Sequence, residues 1–410
     1  MKKNYLHLAC TIIVLALAVS ISFGGGYQIN EHGARAVGMG GAFVARASDG
    51  SAMFFNPAGL GFQQGFNIML GTTLIAPSTT WTPPGGGSDV SMNSQTFFPS
   101  NFYASYSVGD NWVFGLGFFS PYGLGTEWPD MWAPTYGGMY NAEKASLATY
   151  YINPTVAYKV NDKLSFGLGV SYIIANATLN QYVLIPTGLP PPYPASISPL
   201  ANLDGKGNGV SVDVGALYKV DDNLSFGASY RSLVKIDFTG TESFSGVSSP
   251  IPSEDGSITL PMPSNFLIGA AYQLNPKLTV EADFQWVGWS SYDKPVITVG
   301  SSSTTLNETW NDGYLIRLGG EYMMNDKLTL RVGYINDTSP QPPSQTVPRL
   351  PDGDRNDISI GGGYQLTQQL HVDLAYMIVL FNNRDASAAT FPGTYKSSAN
   401  LVSLDFGYQF

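Results

Sequence analysis

Cysteine is all but missing from this chain of 410 residues: the one copy, Cys10, sits inside an apolar N-terminal stretch. A mature chain without cysteine has no disulfide framework and no thiolate metal site. Charge is scarce too, at 12% of residues, and the balance is acidic, with a net charge of −10. That sign argues against nucleic acid as a partner, which calls for basic patches. Beyond the N-terminal stretch the only histidines are His32 and His371, and neither stands at a metal-ligand spacing. No metal, no cofactor and no catalytic residue is therefore expected. Past residue 23 no apolar run approaches the ~18–20 residues that a membrane helix needs.

What abounds is glycine, tyrosine and phenylalanine, at 46, 24 and 22 copies, with a mean hydropathy of zero. Many aromatics and glycines without long apolar runs point to β-structure with one face toward lipid. Lys2 and Lys3 precede the apolar stretch 11–19, and small residues follow at Ser20, Ser22 and Gly24. This is the layout of a secretory signal peptide. Residues 1–24 are thus expected to be a signal, 25–64 a plug and 65–410 a barrel wall.

The plug segment is crowded with Gly and Ala and holds no period of 2 or 3.6. Asp49 is placed to cap a short helical turn, which Asn56-Pro57 would stop. A plain N-terminal linker is the alternative. Along the rest of the chain one pattern recurs: Tyr, any residue, an apolar residue, a short polar turn, then a new alternating run. It appears at Tyr106, Tyr158, Tyr218, Tyr272, Tyr322 and Tyr364, and the chain ends on Tyr408-Gln409-Phe410. Between the turns the alternation is strict: Leu164, Phe166, Leu168, Val170 and Tyr172 share one face, Ser165, Gly167, Gly169 and Ser171 the other. Counting runs predicts fourteen strands, strand three over 112–124 and strand four over 145–160. An all-β, antiparallel transmembrane barrel follows, with an N-terminal plug, short turns on the periplasmic side and long loops outside. The repeated Tyr would form an aromatic girdle.

In this order several motifs resemble the outer-membrane long-chain fatty-acid transporter family, the FadL type, which includes aromatic-hydrocarbon importers. They are 26–31 (Gly-Tyr-Gln-Ile-Asn-Glu), Asn56-Pro57-Ala58, 121–127, 230–238, and the pair 337–340 and 351–355. The resemblance implies an N-terminal hatch closing the barrel, capture of a hydrophobic ligand by outer loops, and diffusion inward as the hatch moves. It also implies a kinked third strand opening sideways to lipid. Long-chain fatty acids are the first expectation for the ligand, aromatic or other neutral hydrocarbons the alternative. Where fatty-acid-importing relatives carry basic residues, this chain has the neutral Asn176, Thr178 and Asn311.

Candidate residues follow. Arg231, Lys235, Arg317 and Arg331, on lumen-facing parity, either hold an acidic headgroup, for which Arg231, Lys235 and Arg317 are the candidates, or pair with wall carboxylates such as Asp213, Asp237, Glu281, Asp283, Glu321 and Asp373. Val183, Leu184 and Ile185 open the loop 183–207, which with 240–256 would catch ligand. Asn56, Pro57, Ala58 and Gly59 are either a helix stop or a gating hinge. Gly115, Gly117 and Pro121 on strand three and Pro154 on strand four either leave a lateral gap, because glycine bends a strand and proline lacks a donor, or Pro121 merely starts the outer loop. The barrel is expected as a monomer in outer-membrane lipid, handed to the insertion machinery through Phe410. A barrel lipase using a serine with His371, or a plain porin, are more distant alternatives.

Overall fold

Alternation builds the wall. The computed structural model describes residues 25–186, 196–246, 251–386 and 389–410, so the expected signal peptide lies outside it. Fourteen antiparallel strands form a closed barrel. They are β1 (Phe66–Thr82), β2 (Ser100–Val108), β3 (Trp112–Phe119, resuming as Gly123–Glu127), β4 (Lys144–Lys159), β5 (Leu164–Tyr182) and β6 (Leu200–Lys219). Next come β7 (Leu224–Arg231, resuming as Val234–Ser245), β8 (Glu254–Met262, resuming as Asn265–Asn275) and β9 (Leu278–Val287). The last are β10 (Gly313–Met323), β11 (Leu328–Asp337), β12 (Arg355–Gln365), β13 (Leu370–Phe381) and β14 (Thr394–Gln409). The ladder from Asn67↔Gln409 to Thr82↔Thr394 joins β1 to β14 and closes the ring.

On β5 Phe166, Leu168, Val170, Tyr172 and Ile174 are exposed on the outer face, while Ser165 and Ser171 are buried inward. An apolar exterior over a polar interior is what lipid outside requires. The turns repeat one chemistry. Asn161, Asp221, Asn275, Asn325 and Thr367 each accept the amide three residues on, at 2.9–3.1 Å. Such side-chain-to-backbone bonds favour a tight turn over continued strand. The tyrosines that precede these turns, Tyr158, Tyr218, Tyr272, Tyr322 and Tyr364, all face outward.

Inside, residues 25–62 fold against the wall in short pieces: α1 (Ala34–Gly38), α2 (Ala52–Phe55) and a 3-10 turn (Pro57–Phe62). Asp49, expected to cap α2, accepts the Ser51 amide at 2.9 Å in the turn just before it, while the N-cap is Ser51, without a side-chain cap. Asn56 turns extended and ends it, then accepts from the Ala58 amide to start the next turn. Wall glycines let this segment lie close. A Cβ on Gly227 would stand 2.0 Å from Val44 O, and one on Gly333 1.9 Å from the Gly40 nitrogen.

One break changes parity. β7 stops after the buried Arg231, and Ser232 and Leu233 intervene before the buried Val234. That single extra residue turns the rest of the strand over, as a bulge does. Lys235 and Asp237, expected in the lumen, therefore face outward.

Candidate functional site

Polar side chains of the lower lumen serve the inner segment. Asp283 accepts the amides of Phe43 and Val44 at 2.8 and 3.0 Å, and Glu281 that of Ala45 at 2.7 Å. Glu321 is shared by Arg35, Arg46 and Arg331, and Arg331 also reaches Asp373. Arg231 donates to Phe54 O at 3.0 Å and lies over the rings of Phe54 and Phe119. Arg317 donates to Asn30 Oδ1 at 2.9 Å. Both arginines are buried and neither lines a ligand-sized cavity, so of the two roles weighed for them the geometry favours bracing. Asn56 is likewise pinned: its amide donates to Val44 O at 2.8 Å and to Ala216 O of β6 at 3.0 Å. Asn56 is fully buried between segment and wall, with Pro57, Ala58 and Gly59 buried beside it.

Above this layer lies a pocket of about 120 Å³. Its walls come from β5 and β6 (Ala177, Leu203), β7 and β8 (Phe238, Ile258, Leu260) and two outer segments, 288–312 and 338–354. Tyr292, Leu306 and Trp310 come from the first segment, Arg349 and Leu350 from the second. Tyr27 of the inner segment lines it too, its ring 4.5 Å from Trp289 and 5.9 Å from Trp310. Glu308 and Arg349 are the charged members of this lining, and they are bonded to each other. Apolar walls with a few fixed polar groups are the usual make-up of a small-molecule site.

A second cavity of about 430 Å³ adjoins the first, with Leu124, Leu147 and Leu350 bordering both. It touches the lumen residues Glu31, Asp352 and Arg355 and also Phe98, Phe118 and Tyr150, which face outward. The wall is open there. β2 pairs with β3 only as far as Phe102↔Phe118, and β3 breaks at Ser120–Tyr122 before resuming along β4. The inner segment covers the break: Ile29 N donates to Pro121 O at 2.8 Å and Gly123 N to Tyr27 O at 3.0 Å. Gly26 N donates to Asp352, whose carboxyl burial pushes up to about 6 against bonds from Ser339 and Gly26.

Of the residues proposed for a lateral gap, Pro121 borders the opening. Gly115 and Gly117 lie below it, facing the Met53 side chain. Pro154 belongs elsewhere: its ladder to β3 is unbroken at Leu116↔Pro154, and the pairing that skips Asn153 and Pro154 is the one to β5. A proline removes a donor on one side of its strand only. Val183, Leu184 and Ile185 sit at the outer end of β5, Leu184 exposed at 61%, and none lines either cavity. Parts of the expected capture loops, 187–195 and 247–250, lie outside the described residues; among the described ones Leu203, Gly205 and Gly256 reach the pocket. Sequence reasoning did not assign the pocket to 288–312 and 338–354, where it marked only Asn311 and the motifs 337–340 and 351–355; the density of Trp289, Tyr292 and Trp310 in one long outer connection was the available signal.

Comparison with known proteins places this geometry. Residues 15–410 match the family model described as outer membrane protein transport protein (OMPP1/FadL/TodX). The long-chain fatty acid transport proteins of Shigella flexneri and Escherichia coli strain K12 are 27% and 26% identical, with 100% of both chains covered in each case. Among solved structures, a Pseudomonas aeruginosa FadL homologue superposes with a TM-score of 0.81 at 20% identity, over 94% of this chain and 100% of that one. The P. putida toluene transporter TodX does so with a TM-score of 0.75 at 20% identity, over 95% and 99%. The family model runs almost the full length of the chain, and the barrel agrees with it: this protein belongs to the OMPP1/FadL/TodX family of transport proteins of the Gram-negative outer membrane.

Proposed function

We propose that this transporter takes up hydrophobic small molecules by diffusion, from the apolar pocket, past residues 26–29, and out through the opening beside β3. Residues 25–64 act as its hatch, and the moving part is the N-terminal end. One observation carries this reading: Tyr27 lines the first cavity while Gly26, Gln28 and Ile29 line the second, so these residues are the partition between them. Residues 34–46 are bolted to wall carboxylates and Asn56 to a wall carbonyl, whereas the partition is held by a few neutral hydrogen bonds and the Gly26–Asp352 contact. Neutral bonds are worth about 0.5–1.5 kcal/mol each, a load that ligand binding can offset.

The curated relatives are named for long-chain fatty acids and a fold neighbour for toluene; both are hydrophobic, as the lining of the pocket is. No catalytic step is assigned. The barrel works as a monomer, its outer face in lipid, and reaches the membrane through insertion machinery that reads its C-terminal strand.

The test is uptake of radiolabelled decanol by cells that carry no other importer of this kind. The wild-type protein is expected to raise uptake, and Ala177→Trp, which fills the pocket, to return it to background with the barrel folded. Undiminished uptake by folded Ala177→Trp would overturn the route.

A further inference from the structure

Every cation on the proposed route already holds a carboxylate. Among the described residues that line the two cavities, Arg349 and Arg355 are the cations. Arg349 donates to Glu308 Oε1, and Glu308 Oε2 stands 3.4 Å from the Tyr292 hydroxyl. Arg355 donates twice to Asp337, at 3.0 and 2.7 Å, with Asp357 at 3.7 Å. The second cavity carries Glu31 and Asp352 in addition, so its surplus is negative. The fourth and fifth strands, which flank the first pocket, contribute apolar side chains and the uncharged Ser146 and Thr178 there.

A ligand carboxylate entering the pocket would meet Glu308 across the same guanidinium. To take Arg349 it must leave Glu308, 8% exposed, without its partner, and an unpaired buried charge is strongly unfavourable. Hydrocarbon, alcohol or arene ligands disturb neither group. We infer that the Glu308–Arg349 pair is a headgroup filter, which admits uncharged hydrophobic molecules to the pocket and refuses ionised carboxylates. The pair's geometry also sets what removes the filter. Replacing Glu308 by the neutral isostere Gln keeps the side chain's shape but leaves the largely buried Arg349 without a counter-charge, and such a guanidinium is a strong carboxylate receptor.

This inference rests on the pocket being the ligand site. It is tested on the full-length mature protein in lipid nanodiscs at pH 8, by titrating decanol and decanoate against the fluorescence of the pocket tryptophan, Trp310. The two probes share a chain and differ in the headgroup. The wild type is expected to bind decanol at least tenfold more tightly than decanoate. Glu308→Gln is expected to gain at least tenfold in decanoate affinity with decanol unchanged, and Glu308→Gln combined with Arg349→Met to lose that gain. Equal binding of the two probes by the wild type overturns the filter and needs no variant to show it. So does a folded Glu308→Gln that leaves decanoate where it was. If the wild type binds neither probe, the pocket is not the ligand site and the proposed route falls along with the filter.

Discussion

Arg231 is buried and lines neither of the two cavities. Its bond to Phe54 O and its stacking on Phe54 and Phe119 tie α2 to β7. A hydrogen bond from a charged donor is worth about 1.5–3 kcal/mol. Arg231→Ala is therefore expected to lower the temperature of the heat-induced gel shift and to leave the ratio of decanol to decanoate binding unchanged. A selective loss of decanoate would restore Arg231 as a headgroup residue. Arg349 has the same chemistry and the opposite setting, since it borders an apolar cavity. Nothing in the local sequence of the two arginines tells them apart; Arg231 even stands on a strand with clear lumen parity, whereas Arg349 sits in a proline-rich connection.

At the scale of the element, the break in β3 is the informative feature. The strand stops at Phe119 and resumes at Gly123, and of the residues between them Ser120 and Tyr122 line the cavity that reaches the outer face. Pro121 in that sequence made a break legible. Its consequences were not, because a gap depends on what the neighbouring strand does, and β2 begins only at Ser100 after an irregular stretch. Gly117, the natural choice for blocking the exit, is unsuitable: a Cβ there would stand 3.2 Å from Met53 Sδ and 3.1 Å from the Phe119 ring, so bulk would press on the inner segment. Ser120→Trp is the better probe. Overpacking costs about 1–3 kcal/mol, which a barrel tolerates. Binding of decanol to the pocket is expected to persist while cellular uptake drops at least fivefold. Wild-type uptake by folded Ser120→Trp would send the ligand straight down past the inner segment instead.

For the whole molecule, closure is decisive. β1 and β14 pair along their full length, and the last residue takes part: Phe410 N donates to Phe66 O at 2.9 Å and the two rings stack at 5.1 Å. A barrel has no free edges only if this seam forms. Phe410→Asp places a charge on the outer face at the seam and is expected to cut the folded outer-membrane population severalfold, read as surface level and heat-modifiable mobility. Normal levels would mean that the final aromatic is dispensable for assembly.

The strands, the repeated Asx-type turns, the outward tyrosines and the small-residue segment behind the N-terminus follow from the sequence alone. Each is a local matter, set by period, turn chemistry and side-chain size within a few neighbours. The pocket's membership was decided by the tertiary structure. Glu308 and Arg349 lie 41 residues apart in two connections without periodicity, and Tyr27 meets Trp289 only because the inner segment runs up through a closed wall. Parity too was readable only while strands ran unbroken: one extra residue at Ser232–Leu233 sent Lys235 to the outside. A period of two carries no memory across an insertion, so which face a distant side chain joins is settled by packing against neighbours that the sequence does not place beside it.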